Sequence, residues 1–464
     1  KGLYSKNHTQ LKKGILTMRL YFDIFSRPAG LNRCAALVFI LACALLAGCS
    51  AKTSRPITGS VDRPGIYDPA MLTHIRDFDR LPQDLSVYAQ NAPKQDLREE
   101  QGQAAARFRG LFFSPWTQTS SSVPVKDAAW AERAYASRTG YTADGGIIPM
   151  QERNAASDNA QYYLYPSLAA PGIITDNALM RGMPTAKPFY DNPAKPGQGF
   201  PFDHYQMTAL WTGTPVFISH ISADKRWLFC ETAMCSGWVE AAKVAQADAA
   251  FMEAWRAPPL YAVTRDRMTA GNGAELRIGT LLPVQGKQLL LPKRDGSGRA
   301  AITRLPLDAG LEPFPVPFSA KAMAELGNQT MGRPYGWGGA FFERDCSLLF
   351  QDLFTPFGVW LPRNSSGQIK NGGRMDLAAM SPEAKAAWLA DNAVPFRTLV
   401  GMPGHVTLYV GQYKGEGVLF HSIWGLRTMT AQGEGRAVLG KVCVTSLTPG
   451  KELRDIITEK MLLY

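Results

Sequence analysis

Short runs of strand-forming residues, separated by turns, limit more than any other feature how this chain can fold. Examples between residues 161 and 315 are Thr214–Ser219 (TPVFIS) and Trp227–Glu231 (WLFCE), with turn residues such as Asp224 between them. Glycine (43) and proline (32) together account for 75 of the 464 residues, and both interrupt long helices. Because short strands at this spacing are typical of small barrels, we expect compact β domains and exclude long helical bundles and coiled coils.

The pattern changes several times along the chain, which predicts a multi-domain protein. The 464 residues suffice for about three domains, and a hydrophobic content of 45% allows sizeable cores. We expect a mostly helical N-terminal segment with its best helix at Asp96–Phe113, then two small all-β barrels, the first with Trp227 and Trp238 in its core, then an α+β domain. The predicted divisions are 1–48 (upstream extension and signal peptide), 49–70 (tether), 71–160 (helical segment), 161–250 (first barrel), 251–317 (second barrel) and 318–464 (C-terminal domain).

The first 49 residues have the plan of a secretory signal. Arginines follow Met18, and the charge-free apolar segment Cys34–Ala47 leads directly to Gly48 and Cys49. The ending Leu-Ala-Gly-Cys resembles the bacterial lipobox, which implies cleavage before Cys49 and acylation of this cysteine. We therefore expect a lipid-anchored, periplasm-facing protein, in the outer membrane if the source is Gram-negative, because Ser50 and not aspartate follows. A plain secretory signal with a chance cysteine is the alternative.

Charge and cysteine content narrow the classes of partner and cofactor. Loss of residues 1–48 removes seven basic residues and one acidic residue, so the formal net charge falls from +11 to +5. No run of five lysines or arginines remains, and we expect no nucleic-acid partner. The seven cysteines are too few for a disulfide scaffold. Cys230 and Cys235 have a spacing that allows a disulfide or half of a zinc site, but we expect them to be unpaired and predict no metal and no cofactor.

One cysteine stands where a helix begins. A glycine-rich loop (RPYGWGG, 333–339) precedes Asp345-Cys346-Ser347, and the apolar run that follows ends at Pro356. Asp345 or Ser347 can cap a helix N-terminus, which places Cys346 in the first turn. We expect this position to lower the pKa of the thiol, because the helix dipole and free N–H groups favour the thiolate. A buried structural cysteine is the alternative.

Two histidines in strand-like segments follow this cysteine. His405 faces away from the apolar side of GHVTLYVG (404–411), and His421 lies in the next strand. If the two strands pair about Tyr413, the imidazoles lie opposite each other, whereas a turn centred on Gly415 would separate them by about 15 Å. A nucleophilic cysteine needs a base, and the base needs a third group that holds its ring. Cys346, His405 and His421 can supply these three groups.

The motifs YGWGG, DCS, LPRNSSGQ, GHVTLYVG and FHS follow one another over the C-terminal part of the chain. In this order they resemble the NlpC family of papain-like bacterial cell-wall cysteine peptidases. The upstream layout is similar to a subgroup with a helical segment and two bacterial SH3-like domains. The resemblance implies a papain-like α+β catalytic domain, with its cleft walled at one end by the first SH3-like domain.

The resemblance also implies the chemistry. Cys346 would attack a peptide carbonyl, His405 would activate the thiol and protonate the leaving amine, and His421 would orient His405. The implied substrate is a peptidoglycan stem peptide, cut between γ-D-glutamate and the diamino acid. In relatives with SH3-like domains, the aspartate before the cysteine helps to bind the free amine of an N-terminal L-alanine. The residues implied to contact the substrate or lie beside the nucleophile are Tyr335, Asp345 and Ser347.

Three positions depart from the family pattern. Leu348 stands where relatives have glycine, Cys235 where relatives specific for free L-alanine carry tyrosine, and Gln206 where some place glutamate. By this resemblance, we expect the last two changes to weaken recognition of a free amine. Two other functions stay open: a non-catalytic wall-binding lipoprotein with a vestigial Cys346, and another amide hydrolase or an acyl transferase on the same fold.

Overall fold

The computed structural model describes residues 19–22, 72–94, 97–430 and 433–453. The apolar segment Cys34–Ala47, the predicted lipidation site Cys49 and the tether up to residue 70 lie outside the described residues, so lipid anchoring stays a prediction. Within the described ranges, no helix combines the length and the apolar character needed to cross a bilayer. The first strand, β1 (Arg19–Phe22), pairs with strands of the C-terminal sheet.

The N-terminal segment is helical, as predicted, and lies across the other parts of the chain. Its helices are α1 (Asp77–Arg80), α2 (Leu85–Ala89), α3 (Arg98–Phe112), α4 (Val125–Ala128), α5 (Trp130–Tyr135) and α6 (Met150–Ala160). The helix expected over Asp96–Phe113 is α3. The Gln101 side chain in α3 donates to the carbonyl oxygens of Val316 and Phe357. These bonds join the helical segment to the C-terminal part of the chain.

Residues 170–246 form the first β unit, an antiparallel sheet of seven short strands in the order β4-β3-β7-β6-β5-β2-β8. The strands are β2 (Ala170–Ile174), β3 (Ala178–Arg181), β4 (Gln206–Leu210), β5 (Pro215–Ile221), β6 (Trp227–Glu231), β7 (Ser236–Glu240) and β8 (Val244–Gln246). One cluster of this sheet buries Met180, Ile218 and Val239. Trp227 and Trp238 are buried as well, but they pack with side chains of α4 and α6. Both are core residues that also pack with Phe229 of the same sheet, and the helical segment completes this cluster.

Residues 249–313 form the second β unit, which begins with helix α7 (Ala249–Arg256). Its strands are β9 (Leu260–Val263), β10 (Met268–Thr269), β11 (Glu275–Leu276), β12 (Leu281–Gln285), β13 (Gln288–Arg294), β14 (Ala300–Pro306) and β15 (Leu311–Pro313). Five of them form an antiparallel sheet in the order β14-β13-β12-β9-β15, and β10 pairs with β11. That this unit is a second SH3-like barrel stays a prediction.

The C-terminal unit packs helices against a six-stranded sheet in the order β16-β1-β17-β18-β19-β20. Its helices are α8 (Ala320–Asn328), α9 (Cys346–Phe354), α10 (Ser365–Gln368) and α11 (Pro382–Asn392). Its strands after β1 are β16 (Gly373–Asp376), β17 (Leu399–Met402), β18 (His405–Tyr413), β19 (Glu416–Thr430) and β20 (Gly433–Ser446). Leu349, Phe350 and Leu353 bury one face of α9 in the same core as Val406 and Leu408 of β18. This packing brings the N-terminus of α9 to the strand that carries His405.

Candidate active site

Cys346 is the first residue of α9, as predicted, and is 6% exposed. Asp345 caps the helix: one carboxylate oxygen accepts from the N–H groups of Ser347 (3.1 Å) and Leu348 (2.8 Å). Its other oxygen accepts from the N–H of Gly338 (3.0 Å) in the glycine-rich loop. The cap therefore fixes the helix start and the loop together beside the sulfur.

The glycine-rich loop lies directly against the first β unit. Gly338 and Gly339 have φ values of +59° and +77°, a backbone region that favours glycine. A Cβ at Gly339 would also lie 2.5 Å from the backbone nitrogen of Ala209 in β4. Glycine is needed here for the backbone conformation and for the close approach, so the loop and the first β unit form one continuous wall.

His405 and His421 lie side by side, although not in the strand register first assumed. The hairpin turns at residues 414–415, and a β-bulge within 409–411 shifts the register by one residue. Nε2 of His405 is 2.8 Å from Nδ1 of His421. The assumed pairing about Tyr413 is wrong: beyond the bulge Leu408 pairs with Phe420, two residues from the assumed register, and the two imidazoles are nevertheless in contact.

Hydrogen bonds along the two imidazoles assign their protons. The Thr445 hydroxyl donates to the carbonyl oxygen of Ser446 (3.0 Å), and its oxygen is 3.1 Å from Nε2 of His421. With the Thr445 proton on the Ser446 carbonyl, Nε2–H of His421 donates to Thr445, and Nδ1 of His421 accepts from Nε2–H of His405. Nδ1 of His405 then carries no proton, which is the state that a general base requires. Sequence reasoning missed Thr445, because its approach to His421 depends on the pairing of β19 with β20.

Burial shifts the pKa values of the Cys346 thiol and the His405 imidazole. Burial, and then the charge of Asp345, raises the pKa of the Cys346 thiol to about 12, although N–H groups of Val406 and Ser347 favour the thiolate. Burial also lowers the pKa of His405 to about 4, and Asp345 opposes this shift only in part. Both groups are therefore neutral near pH 7. The prediction that the helix start lowers the pKa of this thiol is wrong, because loss of solvent outweighs the helix N–H groups.

These pKa values predict a characteristic pH dependence of thiol alkylation. Below its pKa the thiolate fraction of Cys346 rises tenfold per pH unit, so we expect the rate of its reaction with iodoacetamide to rise about tenfold per unit from pH 6 to pH 9. Mass spectrometry of the peptide that contains Cys346 separates its signal from the other cysteines. A rate that is flat between pH 5 and pH 8 would instead reveal a stable thiolate–imidazolium pair and contradict the expectation.

A buried arginine, Arg363, forms hydrogen bonds with two of the residues that the family resemblance implies contact the substrate. Nη2 of Arg363 donates to Asp345 (2.8 Å), and Nη1 donates to the Ser347 hydroxyl (3.0 Å). Nε of Arg363 donates to the Thr208 hydroxyl of β4 (2.6 Å), so Arg363 also joins the C-terminal unit to the first β unit. Tyr335 is 5% exposed, and its ring lies 6.0 Å from that of Trp424. Arg363 had no role in the sequence analysis, although it belongs to the motif LPRNSSGQ.

Gln206 and Cys235, two of the three residues that depart from the family pattern, belong to the first β unit. The Gln206 side chain is buried: Nε2 donates to the carbonyl oxygen of Gly338 (2.8 Å), and Oε1 accepts from Arg181 (3.1 Å). The Cys235 sulfur lies 3.5 Å from the Met180 sulfur. Cys230 and Cys235 are both free thiols. The amide of Gln206 therefore fastens the glycine-rich loop to β4.

Leu348 fills the contact between α9 and the first β unit. Its side chain is 1% exposed and packs with Ala209 and Trp211. It also lines a partly open cavity of about 40 Å³ between α3, α9 and the first β unit, to which Phe108 and Trp360 contribute. The extra side chain at this position therefore adds contact between the two units.

Comparisons with known proteins agree with this arrangement. Family models match at residues 38–165 (NLPC_P60 stabilising domain, N term), 188–240 (SH3 domain, SH3b1 type) and 332–433 (NlpC/P60 family). The third match contains Cys346, His405 and His421. A search of curated proteins found no match.

One solved structure gives the same result. An NlpC/P60 endopeptidase from Photobacterium damselae subsp. piscicida is 27% identical with a TM-score of 0.73, and the match covers 80% of this chain and 92% of that chain. An NlpC/P60 family protein from Bacillus cereus is 16% identical with a TM-score of 0.36 over 60% of this chain and 94% of that chain, which is too distant to support an argument. The chain thus carries a C-terminal domain of the NlpC/P60 family of cell-wall peptidases, joined to an SH3b1-type domain and the N-terminal stabilising domain of that family.

Proposed function

We propose that this chain is a cysteine endopeptidase that cuts peptidoglycan stem peptides between γ-D-glutamate and the diamino acid. The observation that carries the proposal is the hydrogen-bonded series Thr445–His421–His405, in which His405 directly precedes Val406, the residue whose N–H approaches the Cys346 sulfur. A vestigial domain has no need to keep a base in the required tautomer. The match to NlpC/P60 peptidases supports the choice of a cell-wall peptide as substrate.

In the proposed mechanism the neutral pair reacts in one concerted step. As the Cys346 sulfur attacks the γ-glutamyl carbonyl carbon, its proton passes to Nδ1 of His405. The N–H of Cys346 at the start of α9 stabilises the oxyanion, since the next three N–H groups of the helix donate to Asp345. His405 then gives the proton to the leaving amine of the diamino acid, and the C–N bond breaks. Water, deprotonated by His405, hydrolyses the thioester and restores the thiol.

The surroundings of Asp345 favour a substrate without a required free amine. Arg363 balances its charge, and Gln206 is a neutral side chain bonded to Gly338. An ammonium group placed there would meet little uncompensated negative charge. We propose that stems still attached to muramic acid are cut at rates similar to those of free L-alanyl stems, by an enzyme that a lipid on Cys49 holds at the periplasmic side of a membrane.

A digest of two purified stems tests the proposal. The tripeptide L-Ala-γ-D-Glu-diaminopimelate and its muramoyl form are incubated with wild-type protein and with Cys346→Ala, and the products are identified by mass spectrometry. We expect cleavage after D-glutamate by the wild type alone, with kcat/KM for the two stems within about tenfold. No cleavage of either stem would favour a wall-binding protein, and transfer of the acyl group to an added amine would indicate an acyl transferase. The mass of the N-terminal peptide from membrane-extracted protein checks acylation of Cys49.

A further inference from the structure

The three residues immediately before the nucleophile are all buried and all form ion pairs. Glu343 pairs with Arg267 of the second β unit and with Arg333, while Asp345 pairs with Arg363. The middle residue, Arg344, is 2% exposed and forms a bidentate pair with Asp266 of the second β unit, with both N···O distances 2.9 Å. We propose that Asp266 positions the nucleophile Cys346 through Arg344. This inference deepens the proposed function and rests on it.

The Arg344 guanidinium has partners on every side. Besides Asp266, Nε donates to Asp352 of α9 (2.6 Å), and Nη2 donates to the carbonyl oxygen of Ile278 (3.0 Å). The fully buried Arg277 donates to the same Asp266 carboxylate (3.2 Å). Asp266 and Ile278 of the second β unit therefore hold the Arg344 side chain together with Asp352 of α9. A planar guanidinium fork suits this task, whereas a lysine ammonium would satisfy fewer of these acceptors.

The first β unit closes the remaining side of the cluster. The guanidinium carbons of Arg277 and Arg344 lie 5.3 Å and 5.9 Å from the centre of the Trp211 ring. The indole N–H of Trp211 donates to Asp352 (2.8 Å). Two β units and the catalytic helix thus meet at the residue that lies two positions before the nucleophile.

The main chain of Arg344 connects the cluster to the catalytic histidines. Its carbonyl oxygen accepts from the Ser422 hydroxyl (2.7 Å) and from the Gly336 N–H (3.2 Å). Ser422 follows His421 in β19, and Gly336 belongs to the glycine-rich loop. Because Arg344 is held by its side chain and by its carbonyl, a shift of the guanidinium would move the peptide that leads to Cys346. A misplacement of about 1 Å at reacting groups can cost about 100-fold in rate.

Replacement of Asp266 by asparagine tests the proposal. Asp266→Asn keeps the size of the side chain but leaves Arg344 and Arg277 without their shared counter-charge. We expect kcat on the stem peptide to fall by about 10- to 100-fold while KM changes by less than about twofold. Arg344→Lys, which keeps the charge and loses the fork, should change kcat in the same direction by a smaller factor. Asp266→Glu should restore most of the turnover.

Two further measurements separate positioning from general stability. The pH profile of Cys346 alkylation should shift in Asp266→Asn, because the surroundings of the sulfur change, and this readout needs no substrate even if no stem peptide is cleaved. Glu231→Gln is the matched control, since Glu231 is a buried carboxylate whose side-chain hydrogen bonds go to Ser121 and Ser122 of the helical segment and not to the cluster around Arg344. It should leave kcat per folded molecule and the alkylation profile unchanged. The proposal is overturned if Asp266→Asn and Arg344→Lys keep wild-type kcat per folded molecule and the wild-type profile.

Discussion

Replacement of His405 by alanine is expected to lower kcat on stem peptides by about 10³-fold, and two further variants should lower it by less. His405 accepts the thiol proton itself, whereas His421 holds the ring and Thr445 holds His421. We therefore expect a loss of about 10²-fold for His421→Ala and about tenfold for Thr445→Val, in which the buried N–H of His421 loses its acceptor. KM should stay nearly constant, because none of these side chains is expected to bind the substrate in the ground state as strongly as in the transition state.

The order of the three decreases in kcat is the result that tests the assigned roles of His405, His421 and Thr445. His220→Ala is the matched control, because His220 is also a buried histidine with both ring nitrogens bonded, to Ser167 and to the carbonyl oxygen of Ala160. It should lower thermal stability and leave kcat per folded molecule unchanged. Wild-type activity in His421→Ala, or a larger loss in Thr445→Val than in His421→Ala, would contradict the proton assignment along the series.

The parts of the site that depend on neighbours in sequence could be predicted. Asp345 caps a helix whose next residue is Cys346, and cap and helix are both visible in the local pattern. The two histidines could be placed in adjacent strands for the same reason. The exact pairing could not, because a single bulge within residues 409–411 shifts the register without leaving a distinct sequence signal.

The parts that depend on distant contacts could not be predicted. The raised pKa of Cys346 follows from its burial in the folded chain, which local helix chemistry does not reveal. Trp227 and Trp238 pack against helices about 70 to 110 residues earlier in the chain, and Arg344 meets Asp266 78 residues away. Ion pairs of this kind join separate units, and a single sequence gives no measure of which charges meet.

Replacement of Arg363 by methionine is expected to lower the free energy of unfolding by about 3–5 kcal/mol at pH 7.5, because it leaves the buried Asp345 carboxylate without its cation. Burial by itself would raise the pKa of Asp345, but Arg363 and the helix N–H groups hold it below its usual value. Methionine fills a similar volume and removes only the charge and the hydrogen bonds to Asp345, Ser347 and Thr208. Urea unfolding followed by circular dichroism measures the difference.

The loss of unfolding free energy in Arg363→Met should become smaller as the pH falls, and the direction of this change identifies its cause. Without Arg363, burial raises the folded-state pKa of Asp345 above its unfolded value, so the folded variant takes up a proton first and regains stability relative to wild type as the pH falls through that pKa. In the wild type the same carboxylate has a lowered pKa and stays charged. Arg299→Met, which removes an exposed arginine 3.8 Å from Asp248, should change the free energy of unfolding by less than about 0.5 kcal/mol at either pH. A loss in Arg363→Met that is equal at pH 7.5 and pH 5 would show that packing, and not the uncompensated charge of Asp345, is what Arg363 contributes.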